Sequence, residues 1–167
     1  MLAESGAFRE YARTELIEGE ILAVNAIQTR HAQIQASLHL AIGFALRSLA
    51  LELQTYLAPS VQMGDSMPEP DIAIAGQTSE TFLPLAALRL VVEVSDTSLE
   101  YDLGRKAALY ARNSVREYWV VDIAARVIHQ MWAPTAGAYA ERREVKFGER
   151  IEAATIEGLA VETGAIK

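Results

Sequence analysis

The sequence predicts an α+β fold in which one long and one short helix pack on a central sheet, and three observations carry that expectation. From about Thr29 to Leu53, the apolar residues Ile34, Leu38, Ile42, Leu46, Leu49 and Leu53 recur at three- and four-residue spacings, the stripe of a helix with one buried face. The runs LRLVVEVS (88–95) and EYWVVD (117–122) are short and rich in β-branched and aromatic residues, as strands are. The C-terminal third is punctuated by Gly137, Gly148, Gly158 and Gly164, which marks short strands and turns. A chain of 167 residues is expected to form a single domain, 1–167, with a substantial core.

Taken in order, ELIEGEILAV (15–24) alternates apolar and polar residues around the turn signal Glu18-Gly19, which predicts a tight hairpin. Thr29 stands as the N-cap of the long helix. TYLAPSVQM (55–63) reads as a strand whose Pro59 marks an edge or bulge. DIAIA (71–75) is a short strand after the turn-like GDSMPEP. Residues 76–88 form a loop with a helical turn near Pro84. LRLVVEVS follows, then DLGRKAALYARNSV as the short helix with Asp102 as N-cap. EYWVVD and RVIHQMWA pair as a hairpin around Ile123-Ala124-Ala125.

Composition narrows the function. There is no cysteine, which excludes disulfides, zinc–thiolate sites and cysteine nucleophiles. A net charge of −7 argues against general DNA coating, which needs many Lys and Arg contacts to phosphate, although an enzyme can still dock nucleic acid locally. MLAESGAFRE lacks the apolar stretch of a signal peptide, and LHLAIGFALRSLALEL is interrupted by Arg47 and Glu52, so a cytoplasmic protein with no membrane span is expected.

The chemistry concentrates between residues 71 and 106. Glu93 sits inside Leu90-Val91-Val92 and Val94, where removing a carboxylate from water costs several kcal/mol unless a partner or metal compensates. Strand alternation puts Asp71 on one face with Ala73 and Ala75, and Glu93 on one face with Val91 and Ser95. If the two strands are neighbours, the two carboxylates meet, and they repel unless one is protonated or a cation lies between them. Mg²⁺ is commonly held by one or two carboxylates, with waters and substrate phosphate completing its shell. Lys106 falls four residues after Asp102, in the expected first turn, where a cation opposes the helix macrodipole. A broken local rule beside two acids marks a functional site.

Pro70-Asp71, then Glu93 on a following strand, then a lysine, resembles the PD-(D/E)XK nuclease superfamily. More narrowly, Tyr11…ELIEGEI, PEPDIAIA, VVEVSDTSLEYDLGRKAALYA and REYWVVD resemble the Uma-two family of restriction-endonuclease-like proteins, known mainly from bacterial genomes. The likeness runs from about residue 11 to EGLAVE. It implies a restriction-endonuclease-like core, a central mixed sheet flanked by helices, divalent-metal dependence and phosphodiester hydrolysis. By that resemblance Asp71 and Glu93, with the backbone carbonyl of Val94, bind Mg²⁺ or Mn²⁺, and Lys106 orients the nucleophile or offsets developing charge. The superfamily's lysine position, two residues after the acid, is Ser95 here, so Lys106 on the next helix is its relocated counterpart. Ser114-Val115 stands where the family has Gly-Val, and Asp96-Thr97 where a proline is common.

Glu20, at the hairpin exit, is a candidate extra acid, because the superfamily often adds one from an early element. Each residue also has a plain structural role to weigh against this: a Glu93–Lys106 salt bridge, a turn residue at Asp71, a cap at Asp102, a hydrogen-bonded core histidine at His31. His39 and His129 form no constellation with an acid and a serine, so a Ser-His-Asp triad is set aside. The expected function is a metal-dependent endonuclease with nucleic acid, DNA before RNA, as substrate. The alternative is a catalytically silent nuclease-fold protein serving binding or assembly. Cutting both strands of a duplex takes two active sites, so a homodimer is expected, with EYWVVD and RVIHQMWA as its interface.

Overall fold

The structure is a computed structural model that describes residues 13–24 and 27–166. Tyr11 lies outside the described residues. A hairpin of β1 (Arg13–Ile17) and β2 (Glu20–Val24) turns through Glu18 and Gly19, both at positive φ (52° and 79°), as a primed two-residue turn requires. Helix α1 spans Thr29–Ser48 and is followed by β3 (Leu53–Leu57), the two-residue β4 (Val61–Gln62) and β5 (Ile72–Gly76). The short β6 (Leu83–Pro84) and a 3₁₀ turn (Leu85–Ala87) lead into β7 (Leu88–Ser95). A continuous helical stretch then runs through α2 (Leu99–Tyr101), a π-helical turn (Asp102–Lys106) and α3 (Ala107–Arg112). Strands β8 (Glu117–Asp122), β9 (Val127–Pro134), β10 (Tyr139–Lys146), β11 (Arg150–Glu152) and β12 (Ala160–Glu162) complete the chain.

Six strands form the central sheet in the order β10-β9-β8-β7-β5-β3, mixed because β7 and β8 are parallel while the other neighbours are antiparallel. Period-two alternation splits its side chains between two cores. Ile72, Ile74, Leu90, Val92, Val94 and Trp119 face α1 and its stripe of Ile34, Leu38, Ile42 and Leu46. Ala73, Ala75, Val91, Tyr118 and Val120 face the other way, toward Ala107 and Tyr110 of α3. Among the described residues no helix is long and apolar enough to cross a membrane.

Several expectations change. The long helix stops at Ser48, with Ala50 at φ 51°, so Leu53 opens β3 instead of closing the helix. Its N-cap is Gln28, whose side chain makes no capping bond, not Thr29. TYLAPSVQM breaks into β3 and β4 at Ala58-Pro59-Ser60, and Ala58 takes φ 44° there. The second helix begins three residues before Asp102, with Ser98 as N-cap; Lys106 is therefore not in a first turn, and the macrodipole argument for it does not hold. EYWVVD is a wholly buried inner strand with neighbours on both sides, so it has no surface to give to a dimer.

A second buried acid fastens the C-terminal segment to the sheet. Glu117, fully buried on β8, accepts five hydrogen bonds: from Trp119 Nε1 (2.7 Å), Gln130 Nε2 (2.6 Å), the amides of Ala154 (3.0 Å) and Thr155 (2.8 Å), and the Thr155 hydroxyl (2.9 Å). Arg143 braces the cluster by donating to Gln130 Oε1 at 2.6 Å. Removing this acceptor leaves several buried donors unpaired, which is costly. Glu117→Ala is therefore expected to lower the unfolding free energy by about 3 kcal/mol in urea titration. A loss below about 1 kcal/mol would mean that the segment is held by its apolar contacts instead.

Candidate active site

The register of β5 against β7 pairs Ile72 with Val92 and Ala73 with Val91, so Asp71, one residue before β5, comes opposite Glu93. The two acids line a cleft of about 600 Å³, walled by the hairpin, the start of α1, and the segment 96–106. Asp71 is held from every side. Its Oδ2 accepts from the Val94 amide at 2.7 Å, its Oδ1 lies 2.9 Å from His31 Nε2, and its carbonyl accepts from Gln35 Nε2 at 2.8 Å. The helix stripe that buries Ile34 and Leu38 thus also turns His31 and Gln35 toward the sheet.

Glu93 is 4% exposed. Its Oε1 receives Lys106 Nζ at 3.0 Å and the Tyr110 hydroxyl at 2.9 Å; its Oε2 has only a long contact, 3.4 Å, from the Asp71 amide. Lys106 and Tyr110 reach one oxygen because residues four apart share a helix face. Lys106 Nζ also donates to Glu15 Oε1 at 3.2 Å, and Glu15 in turn accepts from the Glu69 amide at 3.0 Å. Asp102 lies below, accepting from the Ser95 and Ser98 hydroxyls at 2.6 and 2.5 Å, while Tyr118 donates to its carbonyl.

Three other carboxyl groups, those of Glu15, Asp71 and Asp102, and one ammonium, that of Lys106, thus act on Glu93. Burial pushes the Glu93 carboxyl up to about 8 against the pull of Lys106, and the neighbouring acids push the same way. Burial also raises Asp102, while its two serine donors hold it back. For Lys106, burial alone would lower the pKa, but Glu93, Glu15 and Asp102 outweigh it, so the ammonium stays charged. An excess of buried acid over cation is what a divalent ion relieves. Among the described residues no three His, Asp or Glu side chains are arranged to cage a metal by themselves. Two carboxylates and a strand carbonyl instead make an open set of hard oxygen donors, which suits Mg²⁺ completed by water and phosphate. Val94 adjoins the two acids: its N–H meets Asp71 Oδ2, and N–H and C=O of one strand residue point to the same edge.

Asp71, Glu93, Val94 and Lys106 are brought together; Glu20 is not. Glu20 is exposed and pairs with Arg105 at 2.7 Å, while Glu18 at the hairpin turn pairs with Arg105 at 3.0 Å and with Arg112. The acid that the hairpin does send to Lys106 is Glu15, 5% exposed. Strand alternation does not single it out: Glu15 shares a face with the buried Ile17, but the hairpin register sets Glu20 directly opposite Ile17 on that same face. Ser95, which stands where the superfamily's lysine would be, spends its hydroxyl on Asp102.

A family model described as "Uma2: Putative restriction endonuclease" matches residues 4–164. No curated protein matches the sequence. Among solved structures, the chain is similar to the crystal structure of a putative nuclease belonging to DUF820 from Anabaena variabilis ATCC 29413. The TM-score is 0.70 at 16% identity, over 92% of this chain and 88% of that one, a likeness of restriction-endonuclease-like fold.

The raised pKa of Glu93 fixes a sign. Between the ordinary value of 4.5 and about 8 the folded chain holds a proton on Glu93 that the unfolded chain has lost. That group's contribution to stability is complete below 4.5 and is lost as pH rises toward 8, by up to about 1.4 kcal/mol per unit. In chelator-containing buffer, urea midpoints from pH 5.5 to 7.5 should therefore fall more steeply for the wild type than for Glu93→Gln. Parallel slopes would mean that Glu93 is ionised in the metal-free fold.

Proposed function

Because the chain belongs to the family described as Uma2, putative restriction endonucleases, we propose that it is a divalent-metal-dependent nuclease hydrolysing phosphodiester bonds, of DNA in the first place, in the cleft of Asp71, Glu93 and Lys106. The observation that supports this reading most is one oxygen: Glu93 Oε1, on the strand opposite Asp71, is shared by Lys106 and Tyr110 beside an open cleft. The family description is what favours DNA over RNA.

In this reading Asp71, Glu93 and the Val94 carbonyl hold Mg²⁺ or Mn²⁺. Such a cation supplies Lewis-acid stabilisation of charge on the attacked phosphate and makes water a better nucleophile. The chain's own groups do the rest. Lys106, kept charged by its acidic neighbours, faces the growing negative charge without needing to reorganise. Tyr110 fixes the rotamer of Glu93, and His31 and Gln35 fix Asp71. Glu15 is a second carboxyl partner that holds Lys106. A metal ligand at Glu93 must be ionised, so cation binding displaces the proton that burial retains there.

A second reading has its own observation. Asp71 and Glu93 are already engaged by His31, Lys106, Tyr110 and backbone amides, a network that closes without metal. A nuclease fold kept as a binding module would look like this.

Cleavage of assorted DNA and RNA with Mg²⁺ or Mn²⁺ separates the two. Glu93→Gln and Lys106→Ala are each expected to reduce the rate at least about 100-fold, with circular dichroism confirming the fold. Activity surviving both substitutions would remove the site assignment. Mn²⁺ should also raise the melting temperature of the wild type and not of Glu93→Gln, since a ligand bound only to the native state stabilises it. A chain that neither cuts nor is stabilised by the metal is the binding module.

A further inference from the structure

The two outer strands of the central sheet differ in kind. An edge strand exposes unpaired N–H and C=O groups, and proteins protect such edges with charged side chains. Strand β10 does so with Glu141, Arg142, Arg143, Glu144 and Lys146. Strand β3, LQTYL, has neither a charge nor a proline, and among the described residues nothing pairs with its outer side.

The surface beside β3 is apolar too. Leu40 and Phe44 of α1 are 59% and 67% exposed, and Leu57 at the end of β3 is 51% exposed. Between helix and strand runs a groove of about 500 Å³, whose lining includes His39, Gly43, Phe44, Leu53 and Thr55. Gly43 leaves a hollow in it: a Cβ there would meet only Thr55 Oγ1, at 3.7 Å. Nδ1 of His39 is buried without a hydrogen-bond partner. Arg47 and Glu52 line the same groove, one of each sign, and neither forms an ion pair within the chain.

We propose that this face is occupied by a second copy of the chain, related by a two-fold axis beside β3. The patch is self-complementary in the ways that such symmetry demands. A protruding Phe44 sits next to the hollow at Gly43, so a two-fold rotation carries each aromatic ring into the other chain's groove. An unpaired arginine and an unpaired glutamate on one patch find each other across the axis. Strand β3 pairs antiparallel with its mate and doubles the six-stranded sheet. With the axis normal to the sheet, both copies of α1 lie on the same side. The two clefts then open at opposite ends of the joined strands, because Asp71 adjoins the C-terminal end of β3 through the Ala58 amide. The pairing does not depend on what the cleft cleaves.

Sedimentation velocity over a concentration series tests it. The wild type is expected to run as a dimer of two 18.3 kDa chains, and Phe44→Glu as a monomer. Arg47→Glu and Glu52→Arg are each expected to weaken the dimer at least about tenfold, and the double reversal R47E/E52R to restore it. All three positions are exposed, so far-UV circular dichroism should stay unchanged. A wild type that is monomeric throughout, a dimer indifferent to Phe44→Glu, or a double reversal as weak as the single ones would each overturn the proposal.

Discussion

A carboxylate held out of water inside β7 is the constraint on which the rest of this molecule depends. Burying Glu93 costs several kcal/mol unless charge and hydrogen bonds answer it. The answer comes from separate elements: Lys106 from the π-helical turn, Tyr110 from α3, and the Asp71 amide from the entry to β5. Lys106 is itself buried and holds two acids, Glu93 and Glu15; while Glu93 keeps its proton, Glu15 of the hairpin is the acid that answers the ammonium. Ion pairs from Glu18 to Arg105 and Arg112 tie the turn of the same hairpin to the helical stretch. The cleft and the fold around it answer one electrostatic problem.

The contrast with Glu117 separates a buried acid saturated by its own fold from one that is not. Both glutamates lie on inner strands and are almost wholly hidden. Glu117 is saturated by neutral donors converging from β8, β9 and the C-terminal segment, with both oxygens satisfied. Glu93 has a crowded oxygen and a nearly free one, faces three other acids, and sits at the wall of a cleft.

Much of this was legible in the residues. Strand alternation put Asp71 and Glu93 on one face, and the β5–β7 register made them neighbours. The two-sided burial of LVVEV, the Glu18-Gly19 turn and the stripe of α1 all follow from period and turn chemistry alone. What escaped was set by distance. Glu15 reaches Lys106 across 91 positions of sequence, and nothing local distinguishes it from Glu20 on the next strand. His31 read as a hydrogen-bonded core histidine; the hydrogen bond is there, and its partner, 40 positions away, is Asp71. Asp102 looked like a cap because aspartate before a helical pattern usually is one; the helix had already begun, which left its carboxyl to two serines. Leu53 continued the helical stripe in sequence and was diverted into a strand by the turn at Ala50.

The π-helical turn from Asp102 to Lys106 makes the site sensitive to chain length as well as to side-chain identity. Its hydrogen bonds close over one residue more than those of the flanking helix. That surplus lets α2 follow the loop above the cleft while α3 lays Ala107 and Tyr110 against the sheet. Losing one residue there would wind the segment into ordinary α-helix and rotate everything before it by about 100° relative to everything after. Lys106 and Tyr110 would remain in the sequence, yet Tyr101 and Asp102 would face elsewhere. In this stretch the genetic text is read by counting, and a deletion that spares Lys106 and Tyr110 would still misspell the cleft.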